Sequence, residues 1–223
     1  MLKNLKEYKT LVFDCDGVIL NSNKIKSEAF YNSVSDYGHE VARQLVDHHI
    51  KYGGVSRYEK FKYFFARILN RSVSSDELNS VIDRYANEVR QGLLSSEVAE
   101  GLGELRIATQ GATWLVASGG AQDELRVIFN NLNLAEYFDG GVFGSPTPKD
   151  KIVEMQLRSG AIGNPSLFLG DSRLDYEVAN KFNLDFVFIT QWSEFEGIEK
   201  YSKEHNIVME RDIKSLLSAS GVE

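Results

Sequence analysis

Asp14 and Asp16 stand two residues apart near the end of an apolar run, "LVFDCDGVIL" over 11–20, and Gly17 follows directly. A carboxylate at the carboxyl end of a buried strand faces the crevice where open α/β sheets bind ligands. The next residue but one lies on the following turn and reaches the same place. One of the two acids is then placed to act as nucleophile or metal ligand, and the other as general acid–base. Gly17 lets the chain turn sharply against a ligand. Cys15 points away from the crevice on this reading, as a small buried hydrophobe.

Three further clusters carry compatible chemistry. "LVASGG" ends on Ser118, Gly119 and Gly120, a hydroxyl and free backbone amides suited to holding a phosphate. "SPTPKDK" supplies Lys149, a point charge for a phosphoryl oxygen, with Lys151 as a rival two residues on. "FLGDSRLD" ends on Asp171, with Asp175 on the next turn. So many carboxylates at one edge repel one another unless a cation joins them, and Mg²⁺, a hard ion that takes oxygen ligands, fits the set.

The elements that must position these residues are legible as periodicity. "TLVFD" (10–14), "TWLVAS" (113–118), "SLFLGD" (166–171) and "DFVFIT" (185–190) are short continuous apolar runs, as in strands of a parallel sheet covered on both faces. Helical patterns such as "AQDELRVIFNNL", "KDKIVEMQLRS" and "LDYEVANKF" lie between them. The alternation predicts an α/β fold: a doubly wound, mostly parallel, Rossmann-like sheet. Residues 1–20 and 101–223 form this core. Residues 21–100 hold no convincing strand and read as an inserted helical cap. In the cap Phe61, Phe64, Phe65, Ile68 and Leu69 recur at helical spacing, as a core stripe does. Ser74 and Glu77 fit a capping box opening a helix over 75–94. His48 and His49 are adjacent, cannot share one helical face, and are expected in solvated or capping roles.

The 223 residues are 43% hydrophobic and 26% charged, with a net charge of −7, which disfavours nucleic acid or an anionic membrane as partner. The single cysteine excludes an intrachain disulfide, and neither a signal-peptide core nor a membrane-length apolar run is present. Cytoplasm is the expected compartment. Nothing in the pattern indicates an oligomeric state.

With Asp14-Cys-Asp16-Gly-Val, Ser118, Lys149 and Gly170-Asp171 plus Asp175 in this order, the chain resembles the haloacid dehalogenase-like hydrolase superfamily over most of its length. The resemblance implies covalent phosphoryl transfer. Asp14 attacks phosphorus and becomes an aspartyl phosphate, while Asp16 protonates the leaving oxygen and then activates water. Asp14, the backbone carbonyl of Asp16 and Asp171 bind Mg²⁺. Ser118, Gly119 and Lys149 hold the phosphoryl group, and Asp175 orients Lys149 or a metal-bound water. Dehalogenase members lack an acid at the position of Asp16, so Asp16 implies phosphate-ester chemistry on a small phosphorylated substrate, with a sugar phosphate as the guess. The stretch "GGVSR" resembles the cap of beta-phosphoglucomutases, where Arg57 would grip a substrate anion; a surface arginine at a helix start is the other reading.

The chain also departs from the family pattern. "NSN" (21–23) replaces an acid followed by Ser or Thr, and Lys149 precedes Asp150 in place of proline. "GDSRLD" is similar to the phosphatase form of its motif, whereas mutases carry Glu-Asp there. A Mg²⁺-dependent phosphatase is therefore the leading reading. A phosphosugar mutase, and a non-catalytic signalling or binding module, are the alternatives. Asp14→Asn is expected to abolish turnover while the fold, read by circular dichroism, stays intact. An amide cannot replace the anionic nucleophile, and this class of reaction needs barrier reductions on the order of 20 kcal/mol.

Overall fold

The computed structural model describes residues 2–219. β1 (Thr10–Phe13) is buried along its whole length. The chain then leaves the sheet for four helices, α1 (Asn23–Val34), α2 (His39–Lys51), α3 (Arg57–Tyr63) and α4 (Ser75–Leu94). It returns through α5 (Leu102–Ala108), β2 (Thr113–Ala121), α6 (Gln122–Asn131), β3 (Gly141–Ser145) and α7 (Lys149–Arg158). β4 (Ser166–Gly170), α8 (Arg173–Lys181), β5 (Asp185–Ile189), α9 (Ile198–His205), β6 (Val208–Glu210) and α10 (Ile213–Ala219) complete it.

The six strands are all parallel, in the order β3-β2-β1-β4-β5-β6. Alternate side chains of each strand serve opposite faces. Leu11, Phe13, Trp114, Val116, Leu167 and Leu169 join one apolar cluster. Val12, Leu115, Ala117 and Phe168 join the other, under α7 and α8. This two-sided burial is why the strands read as unbroken apolar runs. β1 lies at the reversal of strand order, with Phe13 level with Val116 of β2 and Leu169 of β4. The carboxyl ends of these three strands therefore form one crevice.

β3 and β6 were not expected. β3 carries two glycines in five residues, and β6 is a three-residue edge strand, so neither offers a run long enough to register.

The inserted helices hang from two chain crossings that run side by side. Asn21 N–H donates to the Glu97 carbonyl (2.9 Å) and Ala99 N–H to the Ile19 carbonyl (2.8 Å). Their apolar centre contains the aromatic stripe. Phe61, Phe64 and Phe65 are buried, and Ile68 and Leu69 pack at its margin. The ring centroids of Phe30 lie 4.3 Å from Tyr85 and 5.3 Å from Phe61. α1 and α4 meet at Gly92, where a Cβ would fall 2.4 Å from Ile25 Cγ2. α4 opens as expected on Ser74, whose hydroxyl accepts from Glu77 N–H. The reciprocal half of the capping box is replaced: the Glu77 carboxylate is taken by Arg71 and Tyr37.

His49 corrects the sequence reading. It is buried, its ring lies 4.5 Å from that of Phe30, and its Nδ1 bonds the Lys60 ammonium at 2.6 Å. His48 stacks on Tyr63 at 3.6 Å. The two rings do diverge, but the layer of helices covers the inner one. Phe61→Ala should destabilise the protein by about 3–5 kcal/mol in urea unfolding, the range for emptying a buried aromatic site; a change below 1 kcal/mol would mean the stripe does not form the centre of this layer.

Candidate active site

Asp14 is the first residue beyond β1, Asp171 the first beyond β4, and Ser118 sits inside β2; all three are buried. Asp14 Oδ1 accepts from Cys15 N–H at 2.7 Å and lies 3.0 Å from the Lys149 ammonium. Lys149 opens α7 and reaches inward, whereas Lys151 lies at the surface paired with Glu154 at 2.8 Å. Asp175 Oδ1 takes the same ammonium in a short ion pair. Its Oδ2 accepts from Ser172 N–H (3.0 Å) and Ser172 Oγ (2.6 Å), closing the first turn of α8. Cys15 is buried in the apolar cluster, as read from the sequence.

The inserted helices complete the crevice. Asp16 is held by two residues of the first helical turns: Ser22 Oγ donates to Oδ1 at 2.6 Å and Lys26 Nζ to Oδ2 at 2.5 Å. Asn23 Nδ2 donates to Asp171 Oδ2 at 2.7 Å and to the Trp192 carbonyl at 2.8 Å. Sequence reasoning noted "NSN" only as a departure and passed over Lys26. The available signal was phase: 23, 26, 27 and 30 share one face of α1. Backbone approaches are close as well. A Cβ at Gly119 would fall 2.2 Å from the Gly54 carbonyl oxygen, and one at Gly53 would lie 3.1 Å from Ser172 Cβ. The Ser118 hydroxyl accepts from Gly120 N–H at 3.0 Å.

Arg57 is neither at the surface nor free. It is buried at the start of α3, with both terminal nitrogens on Glu124 of α6 (2.9 and 2.7 Å) and its guanidinium 4.6 Å from the Tyr85 ring centre. The fork expected to meet an anion meets a carboxylate of the sheet layer.

Burial dominates the electrostatics. It pushes Asp14 up to about 7, with Lys149 pulling the other way and Asp175 and Asp16 adding to the rise. Burial and then the charges of Asp14 and Asp175 lift Asp171 well above the usual carboxylate range. Burial would lower the Lys149 ammonium, but Asp14 and Asp175 outweigh it and raise it. Burial alone would also raise Asp16; Lys26, then Ser22, overcome that and hold it below its ordinary value as a carboxylate.

Asp14, Asp171 and Asp175 can bring one oxygen each within 4.8 Å of one another. Asp175 is committed to Lys149 and Ser172, which leaves Asp14 and Asp171 as the facing pair. Two buried carboxylates lifted by desolvation are an oxygen donor set that a hard divalent cation stabilises. The residues present fit Mg²⁺.

A doubly wound parallel sheet with Asp14 at its switch point, a buried lysine and further acidic groups at the same edge defines a Rossmann-like α/β fold with a charged crevice at its strand ends. The profile of the haloacid dehalogenase-like hydrolase family matches residues 11–189, and the chain belongs to that family. Among solved structures, the chain is similar to a predicted phosphoglycolate phosphatase from Haemophilus somnus (TM-score 0.73, 16% identity, 96% of this chain and 98% of that one). It is also similar to a beta-phosphoglucomutase from Clostridium difficile (TM-score 0.71, 16% identity, 94% and 93%). A haloacid dehalogenase-like hydrolase from Streptococcus pneumoniae matches with a TM-score of 0.67 at 17% identity, covering 95% and 98%. At these identities the likeness is one of fold. No protein of curated function matches the chain.

Gly17 has a φ of +75°, and a Cβ there would fall 2.1 Å from Asp171 Oδ2. Gly17→Ala should therefore displace Asp171 in a folded protein and cost up to about a hundredfold in kcat, the scale of a misplacement of about 1 Å. A folded variant with the parent's kcat would show that the position of Asp171 does not matter to turnover.

Proposed function

We propose that the protein is a Mg²⁺-dependent phosphatase of a small phosphorylated metabolite, of the sugar-phosphate kind, working through an aspartyl-phosphate intermediate. The observation that carries this reading is the buried Lys149 ammonium joined to Asp14 and Asp175, with Asp171 beside them at the same strand edge.

Asp14 is buried, oriented by the Cys15 amide and by Lys149, and faces the crevice. Its free oxygen attacks phosphorus, and the P–O ester bond breaks with its electron pair going to the leaving oxygen. The proton for that oxygen is delivered through Asp16 from the Lys26 ammonium that donates to it at 2.5 Å. Asp16 then accepts a proton from water as the water attacks phosphorus. That step releases inorganic phosphate and restores the Asp14 carboxylate. Lys149, Ser118 and the Gly119 amide hold the phosphoryl oxygens. Asp175 keeps Lys149 in place. Asp14, the Asp16 carbonyl and Asp171 would hold Mg²⁺, which when bound supplies charge neutralisation for the phosphoryl group.

Residues 21–100 act as a lid in this reading, with Arg57 tying it to α6 through Glu124. Hydrolysis is preferred to phosphoryl return because Gly170, and not a second acid, precedes Asp171. No helix among the described residues is long and apolar enough to cross a membrane, and the lone Cys15 is free and buried, which suits the cytoplasm.

The test is Mg²⁺-dependent phosphate release from alkyl and aryl phosphates by the parent and by Asp16→Ala. An alkoxide needs a proton to leave and a nitrophenolate does not. The variant should lose about two to four orders of magnitude on alkyl esters and far less on nitrophenyl phosphate. Release that survives exhaustive chelation would remove the metal from the scheme, and equal losses on both esters would remove Asp16 as the acid.

A further inference from the structure

The cavity above Asp14 and Asp171 is roofed by cations from the inserted helices, and their partners differ. Lys26 is paired with Asp16, and Arg57 with Glu124. Lys60 has no such partner. It is 1% exposed and lines the same cavity as Asp14, Asp16 and Asp171. Its ammonium meets the His49 ring nitrogen at 2.6 Å and the His49 carbonyl at 3.4 Å, and it stands 5.5 Å from the centre of the Phe30 ring. No carboxylate among the described residues forms an ion pair with it. The nearby acids are engaged elsewhere: Asp16 with Lys26 and Ser22, and Glu194 with Ser27 Oγ at 3.0 Å.

A buried cation is rarely left without an anion, because its desolvation goes uncompensated. The Phe30 ring, 5.5 Å from the ammonium, could have accepted an apolar side chain at position 60 at no electrostatic cost. We infer that Lys60, backed by His49, is a second anion site in the roof of the cavity, and that the substrate is a compact phosphomonoester bearing a second anionic oxyacid group. This rests on the phosphatase reading: the ester phosphate sits on the floor with Lys149, and the second group rises to Lys60.

Two further features agree. The space inside the cavity is about 60 Å³. On that measure a single water needs roughly 10–15 Å³, so the space admits only a short molecule. Burial, then the charge of Lys26, pushes Lys60 down to about 7, so an arriving anion restores the charge of a group that otherwise titrates near neutrality. His49 is held neutral, by burial first and then by Lys60, and so accepts a hydrogen bond from Lys60 without competing for the anion.

The experiment compares kcat/KM within matched pairs on the Mg²⁺-loaded enzyme: phosphoglycerate against glycerol phosphate, and ethylene glycol bisphosphate against its monophosphate. The first pair tests a carboxylate, the second a second phosphate. The parent should favour the acid-bearing member of at least one pair by about one to two orders of magnitude, the value of a charged hydrogen bond. Lys60→Met should collapse that ratio to near one, and Lys60→Arg should keep part of it. A parent ratio near one in both pairs overturns the inference, even if Lys60→Met cannot be folded. So does a ratio that survives in Lys60→Met. Calorimetry of phosphonoacetate against methylphosphonate on Asp14→Asn, with and without Lys60→Met, gives a readout without turnover. Lys60-dependent preference for phosphonoacetate there, in a protein that releases no phosphate from any ester, would keep the anion site and discard the phosphatase reading.

Discussion

One buried ammonium organises the site. Three strands end at one edge, and two of them deliver carboxylates there, with a third arriving on the first turn of α8. Taken from water together, Asp14, Asp171 and Asp175 would repel one another at high cost. Lys149 answers two of the three and is fully surrounded in doing so. Asp175 also closes the start of α8 through Ser172, so the same atoms that set the electrostatics set the path of the chain. A network of this kind is worth most when every member is satisfied. Here the member left least satisfied is the Asp14–Asp171 side of the cluster, the side that faces the crevice.

The inserted helices meet this edge mainly through polar groups. Ser22 and Lys26 take Asp16, Asn23 takes Asp171, Ser27 takes Glu194 and Arg57 takes Glu124. These polar contacts fix position more than they add stability, since buried ion pairs recover little beyond their desolvation. The helices' apolar centre, around Phe30, Phe61 and Tyr85, is continuous with the apolar cluster on one face of the sheet. The paired crossings at 19–21 and 97–99 are the covalent links between the two layers.

Legibility followed the length of the local signal. β1, β2, β4 and β5 were readable because parallel strands buried on both faces are apolar throughout. α4 was readable to the residue because Ser74 caps it. β3 and β6 were not, being short and glycine-bearing or at the edge. The Glu77 side chain departed from its expected capping partner because Arg71 and Tyr37 offered a charged and a phenolic donor at closer reach. His49 was misjudged for a related reason. Its helix has a covered face, and periodicity alone does not reveal that the face holds a lysine able to share its nitrogen.

What the sequence determined by itself was the order of the chemistry: a D-x-D-G turn, Ser118, Lys149, then Gly170-Asp171 and Asp175, each at the end of a short apolar run or the start of a helix. Position relative to a strand end is local, and local periodicity encodes it. What only the tertiary structure decided was which charge answers which. Asn23 meets Asp171 across 148 residues, Arg57 meets Glu124 across 67, and Lys60 is left facing the cavity with a histidine for company. Long polar side chains have many possible partners, and the choice among them is made by how closely distant elements approach. That approach depends on packing such as the contact of Gly119 with the Gly54 carbonyl, which no stretch of sequence contains.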